Sequence, residues 1–142
     1  MGLGKKLGKF SRAIAIFQAF TKDAEEYHDD PRRADELARG AYQRAHEHRK
    51  GPIARVWDDL MTFLRLIKAW ATGKYRGAPW KSMALVIGAV LYFVSPLDAI
   101  PDWIPFIGFM DDAFVIGFVM RAIRKDVRAF REWESMVAAY SA

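Results

Sequence analysis

The sequence predicts an all-α protein: a small helical chain built on an apolar helical hairpin, about 82–97 and 112–123, with amphipathic helices around it. Three observations lead there. Apolar residues recur at three- and four-residue steps along most of the chain, the period of one helical face. Breaks rich in charge, glycine or proline separate these runs, at 22–31, 50–52 and 73–81. Finally, no Lys or Arg occurs in the 39 residues between Lys81 and Arg121, where large apolar side chains surround four aspartates.

At 142 residues the chain is one domain's worth, long enough to bury a modest core. A hydrophobic content of 52% with 14% aromatics excludes disorder. With no cysteine, disulfides, thiolate catalysis and Cys-ligated zinc are excluded as well. The net charge of +5 is uneven, since residues 1–76 hold 16 of the 22 basic side chains. The chain thus divides into a basic amphipathic region, 1–72, and a hairpin domain, 73–142, that ends in an amphipathic helix. A basic half beside an apolar, acidic hairpin points to an anionic partner. A membrane surface accounts for both halves. Nucleic acid accounts only for the first and has no recognised motif here, so it is not expected.

In chain order, Leu3, Leu7, Phe10, Ile14, Phe17 and Phe20 form one helical face, with Lys5, Lys6, Lys9 and Arg12 mostly off it. Such a helix can pack on its neighbours or lie on an anionic membrane. RAIAIFQAF has the length of a signal-peptide core, but TKDAEEYHDD follows in place of a cleavage site, so no secretory signal is expected. Lys6 stands where myristoylation at Gly2 would need Ser or Thr. Asp30 caps the next helix, and Pro31 occupies its first turn, where a missing amide costs nothing. That helix is expected from Pro31 to Arg49, with Ala34, Leu37, Ala38, Ala41, Tyr42 and Ala45 on a small face that buries little. His46 and His48 lack the i, i+4 spacing of a metal pair and are expected to be solvated.

Pro52 is expected to start the third helix, with Ile53, Val56, Trp57, Leu60, Phe63, Leu64, Ile67, Trp70 and Ala71 on its apolar face. Arg55, Asp58, Asp59, Arg65 and Lys68 face away, with Arg55 four residues from Asp59. GKYRGAPWK, 73–81, is a loop in which Tyr75, Trp80, Lys74, Arg76 and Lys81 suit the headgroup layer of a bilayer.

The first hairpin arm, Ser82 to Leu97, has 16 residues, about 24 Å of helix at 1.5 Å per residue. A hydrocarbon core of roughly 30 Å needs about 20 residues. The second arm, Ala113 to Met120, is shorter still. Two transmembrane helices are therefore not forced by length. A re-entrant hairpin, or a bundle that buries the hairpin by oligomerising, is also compatible. Past Arg121 the chain turns amphipathic, with Ile123, Val127, Phe130, Trp133 and Val137 opposite Arg124, Lys125, Arg128 and Arg131. Cations on both flanks lead us to expect both ends on the cytoplasmic side of a membrane, with the Asp-rich turn pointing into or across it.

Asp98, Asp102, Asp111 and Asp112 cannot sit unpaired in hydrocarbon. Ser95, Pro96 and Asp98 have the spacing of a capping box, and Asp111 and Asp112 suit a helix N-terminus. Capping is the first reading. The alternative is that the turn gathers the four carboxylates on a divalent cation, although their spacing matches no EF-hand loop.

The run YFVSPLDAIPDWIPFIGFMDD, Tyr92 to Asp112, resembles the motif of the YkvA-like family, domain of unknown function 1232. The pattern is Y-x-x-S-P-x-D-x-I-P-D-x-I-P-x-x-G-x-x-D-D, and Tyr92, Ser95, Pro96, Asp98, Ile100, Pro101, Asp102, Pro105, Gly108, Asp111 and Asp112 match its fixed positions. The likeness covers roughly residues 70–122 and implies membrane association through a short helical hairpin, with no established catalytic activity. Function is therefore expected to be that of a non-enzymatic scaffold or regulator at the bacterial inner membrane, with no cofactor. Its partners would be the lipid membrane and either a second copy or another membrane protein. The alternatives are a soluble oligomeric bundle and a cation-binding protein in which Asp→Asn changes abolish function without unfolding.

Overall fold

The computed structural model describes residues 18–47, 49, 51–94 and 112–141, which form helices and short 3₁₀ turns with no strand among them. A helical segment over 18–23 runs into a 3₁₀ turn, Ala24–Tyr27, followed by α1, Pro31–Glu47. A 3₁₀ turn, Gly51–Val56, leads into α2, Trp57–Ala71, and then come α3, Trp80–Val94, α4, Asp112–Ala122, and α5, Arg124–Ser141. The all-α expectation holds. The basic face from Leu3 to Phe17 lies outside the described residues.

α1 begins as its sequence predicts. The Arg33 amide donates to Asp30 Oδ1 at 3.3 Å, and Pro31 takes the first helical position. Its alanine face was expected to bury little, yet Ala34, Ala38, Ala41 and Ala45 are all buried. With nothing beyond Cβ to hold backbones apart, α1 packs directly on α2 and α3. Small side chains here mean close approach.

α2 starts five residues later than expected. Residues 51–56 are 3₁₀, and Val56 leaves helical geometry at φ −117° and ψ 20°. Arg55 and Asp59 are therefore not four apart on one helix and make no ion pair. The far end is a Schellman cap: Gly73 N–H donates to the Trp70 carbonyl at 3.1 Å and Lys74 N–H to that of Ala69 at 2.9 Å. Gly73 supplies the φ of 76° that this turn requires.

α3 is the centre of the bundle. Ser82, Met83, Ala84, Val86, Ile87, Gly88, Ala89, Val90, Tyr92 and Phe93 are buried, so the helix is covered nearly all round. α1, α2, α4 and the 24–27 turn provide the cover. At Gly88 the cover is backbone: a Cβ there would lie 3.1 Å from Thr21 Cα and 3.2 Å from Thr21 N. With 15 residues, α3 spans about 22 Å. Among the described residues no helix is long and apolar enough to cross a membrane. The apolar arm admits a membrane-facing or a deeply buried reading, and from Trp80 to Val94 it is the protein's own core.

The aromatic loop is drawn inward as well. Tyr75 is buried, with its ring 5.1 Å from those of Phe130 and Trp133. Trp80 stacks on His28 at 4.2 Å. These rings do not reach outward to a headgroup layer, whereas Lys74, Arg76 and Lys81 are exposed.

α4 and α5 form a helical pair interrupted at Ile123, whose N–H donates to Val119 as α4 ends and whose carbonyl accepts from Val127 N–H as α5 begins, both at 3.0 Å. Val115, Ile116, Val119, Ile123, Val127 and Phe130 continue the core along the pair. Residues from both sides of position 72 thus share one hydrophobic cluster. α5 outruns that core, leaving Met136, Val137 and Tyr140 exposed.

Candidate functional site

The helices that lead into and out of the Pro/Asp-rich segment are described; the segment itself is not. Tyr92 is buried in the last turn of α3, edge-on to Phe20 at 5.6 Å. One residue on, the Phe93 carbonyl accepts a hydrogen bond from Arg44 Nε of α1 at 2.9 Å, with the guanidinium carbon 5.9 Å from the Phe93 ring. A cation at a helix C-terminus answers both the orphan carbonyl and the negative end of the dipole. Asp112 opens α4, which packs against α3. Ser95, Pro96, Asp98, Ile100, Pro101, Asp102, Pro105, Gly108 and Asp111 lie outside the described residues. Among the described residues no three His, Asp or Glu side chains converge as a metal site would require. His46 meets the rings of Tyr42 at 4.4 Å and Trp57 at 5.3 Å. His48 lies outside the described residues.

Two open grooves flank α2. The first runs between α2 and the α4–α5 pair, holds about 540 Å³, and is lined by Asp59, Met120, Arg124, Val127, Arg128, Arg131, Glu132 and Ser135. Polar contacts set the crossing. Arg65 Nε donates to Glu134 Oε2 at 2.8 Å, and Arg131 Nη2 donates to Thr62 Oγ1 at 3.3 Å. Thr62 is buried and donates in turn to the Asp58 carbonyl at 2.8 Å. Asp59 faces this groove half-buried. Loss of water raises its pKa above the usual 3.8; Arg131 opposes that rise and Asp58 adds to it.

The second groove, about 530 Å³, lies between α1 and α2, with Tyr42, Met61 and Leu64 on its apolar side and Arg65 and Lys68 on its rim. Asp35 Oδ2 pairs with Arg39 at 3.2 Å, while its buried Oδ1 has no hydrogen-bond partner. On the other side of α3, Ser82 donates to Asp126 Oδ2, tying the first turn of α3 to the first turn of α5. Burial, and then the Asp126 charge, raise the Tyr75 hydroxyl above its ordinary pKa of 10.0.

The model of a family described as "Protein of unknown function (DUF1232)" matches residues 82–118, which are α3, the undescribed segment and most of α4. A relative from Bacillus subtilis (strain 168), named "Uncharacterized membrane protein YkvA", is 38% identical over 74 residues, 52% of this chain and 70% of its own. The chain belongs to the DUF1232 family. No solved structure matches it. The DUF1232 segment supplies the central helix of the bundle, and α1, α2 and the 24–27 turn pack around it.

Sequence reasoning found the basic run on α5 from its spacing. It missed Arg44, Thr62 and Asp59 as partners of distant elements. Arg44 lies 49 residues from the carbonyl it caps, and no local pattern signals that.

Proposed function

We propose that this DUF1232 protein is a non-enzymatic, membrane-associated scaffold or regulator on the cytoplasmic face of a bacterial inner membrane, held there by the exposed surface of α4 and α5. One observation carries the reading. Arg121, Arg124, Lys125, Arg128 and Arg131 are all exposed along the end of α4 and the start of α5, on either side of the break at Ile123. Asp126, the acidic residue within that run, is turned inward to Ser82. Five cations near an anionic bilayer are worth about 1 kcal/mol each, enough together for reversible binding. Met136, Val137 and Tyr140 give α5 an exposed apolar end that can enter the headgroup layer. The relative's name as a membrane protein agrees with this reading.

The test is co-sedimentation with vesicles of phosphatidylcholine, with and without phosphatidylglycerol. Binding is expected only to the anionic vesicles and should fall steeply as salt shortens the screening length to about 10 Å near 0.1 M. Cell membranes should release the protein in high salt or alkaline carbonate. Release by detergent alone would sink surface attachment and favour an inserted hairpin. A second reading, an oligomeric bundle, is supported by the same apolar end of α5. It predicts a mass above one chain that falls on dilution or on Tyr140→Glu substitution.

A further inference from the structure

We propose that the groove between α2 and α5 is a binding site for the phosphate of an anionic phospholipid headgroup, with Arg124, Arg128 and Arg131 as its ligands. The proposal rests on the surface-attachment reading above and localises it to one site. The three arginines are four and three residues apart, so they share one face of α5, and all three line the groove. Guanidinium groups bind phosphate oxygens through paired N–H donors in a fixed fork, which an ammonium cannot imitate.

The site is partly organised in advance. Arg131 spends one donor on Thr62, whose hydroxyl is fixed by its own bond to Asp58. Its other N–H groups keep that orientation without further ordering cost. Arg124 and Arg128 form no ion pair among the described residues, so their charge is not already spent. Asp59 and Glu132 also line the groove, and three cations against two carboxylates leave it a net +1. Asp59, on the α2 wall, confines an anion to the α5 side. Met120 and Val127 give the groove an apolar wall. A free phosphate would leave that wall unused, whereas the glycerol and first acyl carbons of a lipid would cover it. That wall, and continuity with the exposed cationic run, favour the lipid as the source.

The experiment compares the full chain with the double variant Arg124→Lys/Arg128→Lys on vesicles containing about one-third phosphatidylglycerol. Charge is conserved, so attachment by charge alone is unchanged by the substitution. Loss of the forked contacts should weaken binding about tenfold or more. Equal binding by variant and parent would overturn the groove site while leaving surface attachment standing. Failure of the parent to bind would overturn both. As a measurement that needs no variant, dihexanoyl phosphatidylglycerol below its micelle concentration is titrated into the ¹⁵N-labelled parent. The Arg Nε–H resonances of 124, 128 and 131 should shift together. Shifts of the same size with inorganic phosphate, or shifts spread equally over Arg121, would refute the assignment to lipid in this groove.

Discussion

Replacing Gly88 and Gly117 by alanine, separately, tests whether α3 is enclosed by the chain itself. Both glycines lie inside helices, so alanine should gain about 1 kcal/mol of helix propensity at either position. Gly117 has nothing within 4 Å of its would-be Cβ, so Gly117→Ala should keep that gain. At Gly88 the new methyl meets Thr21 Cα, Oγ1 and N at 3.1, 3.1 and 3.2 Å, two of them backbone atoms. Backbone cannot rotate aside, and overpacking of this kind costs about 1–3 kcal/mol. Gly88→Ala is therefore expected to be neutral to about 2 kcal/mol destabilising, leaving the two variants about 1–3 kcal/mol apart. Urea unfolding without detergent, followed by tryptophan fluorescence, reads this directly. With a slope of about 2 kcal/mol/M, the midpoints should separate by about 0.5–1.5 M. If both variants were stabilised equally, the 18–27 segment would not be docked on α3, and the enclosed-core description would be wrong.

Arg44→Met removes the donor at the Phe93 carbonyl and should cost about 1.5–3 kcal/mol; amide exchange should quicken in the last turn of α3 and not in its first. Asp59 carries a raised pKa, so folding disfavours its charged form, and that penalty is present at neutral pH. The penalty is relieved as pH falls through the raised folded value and is gone below the unfolded value of 3.8. Asp59→Asn should therefore be more stable than the parent at pH 7 and lose that advantage near pH 4, seen as converging urea midpoints. Tyr75 shifts in the direction that favours its neutral form, so stability should fall once pH passes the unfolded value of 10.0. Tyr75→Phe should lessen that alkaline loss, measured by thermal melts between pH 9 and pH 11. Arg65→Met breaks a largely exposed pair with Glu134 and should cost less than about 1 kcal/mol.

Much of the fold is written locally. The Asp30 cap, the turn at Gly73 and the 3.6-residue face of α2 each follow from neighbouring residues, because capping, positive φ and helical period are short-range constraints. The DUF1232 motif is legible for the same reason, as a fixed spacing along the chain. The apolar run from Ser82 to Val94 is different. Hydropathy is the same for a helix facing lipid and a helix facing protein, so its pattern admits both. The choice is made by the surfaces around it: the alanine face of α1, which permits close approach, and the backbone at Thr21 that closes over Gly88. The groove follows the same rule. Its arginines could be counted in the sequence, but Thr62 and Asp59 meet them only because α5 crosses α2. Residue type and local spacing thus determined which helices form and which faces are apolar. Only tertiary packing decided which apolar surface is core and which cations share a groove, because both depend on contacts between residues far apart in the chain.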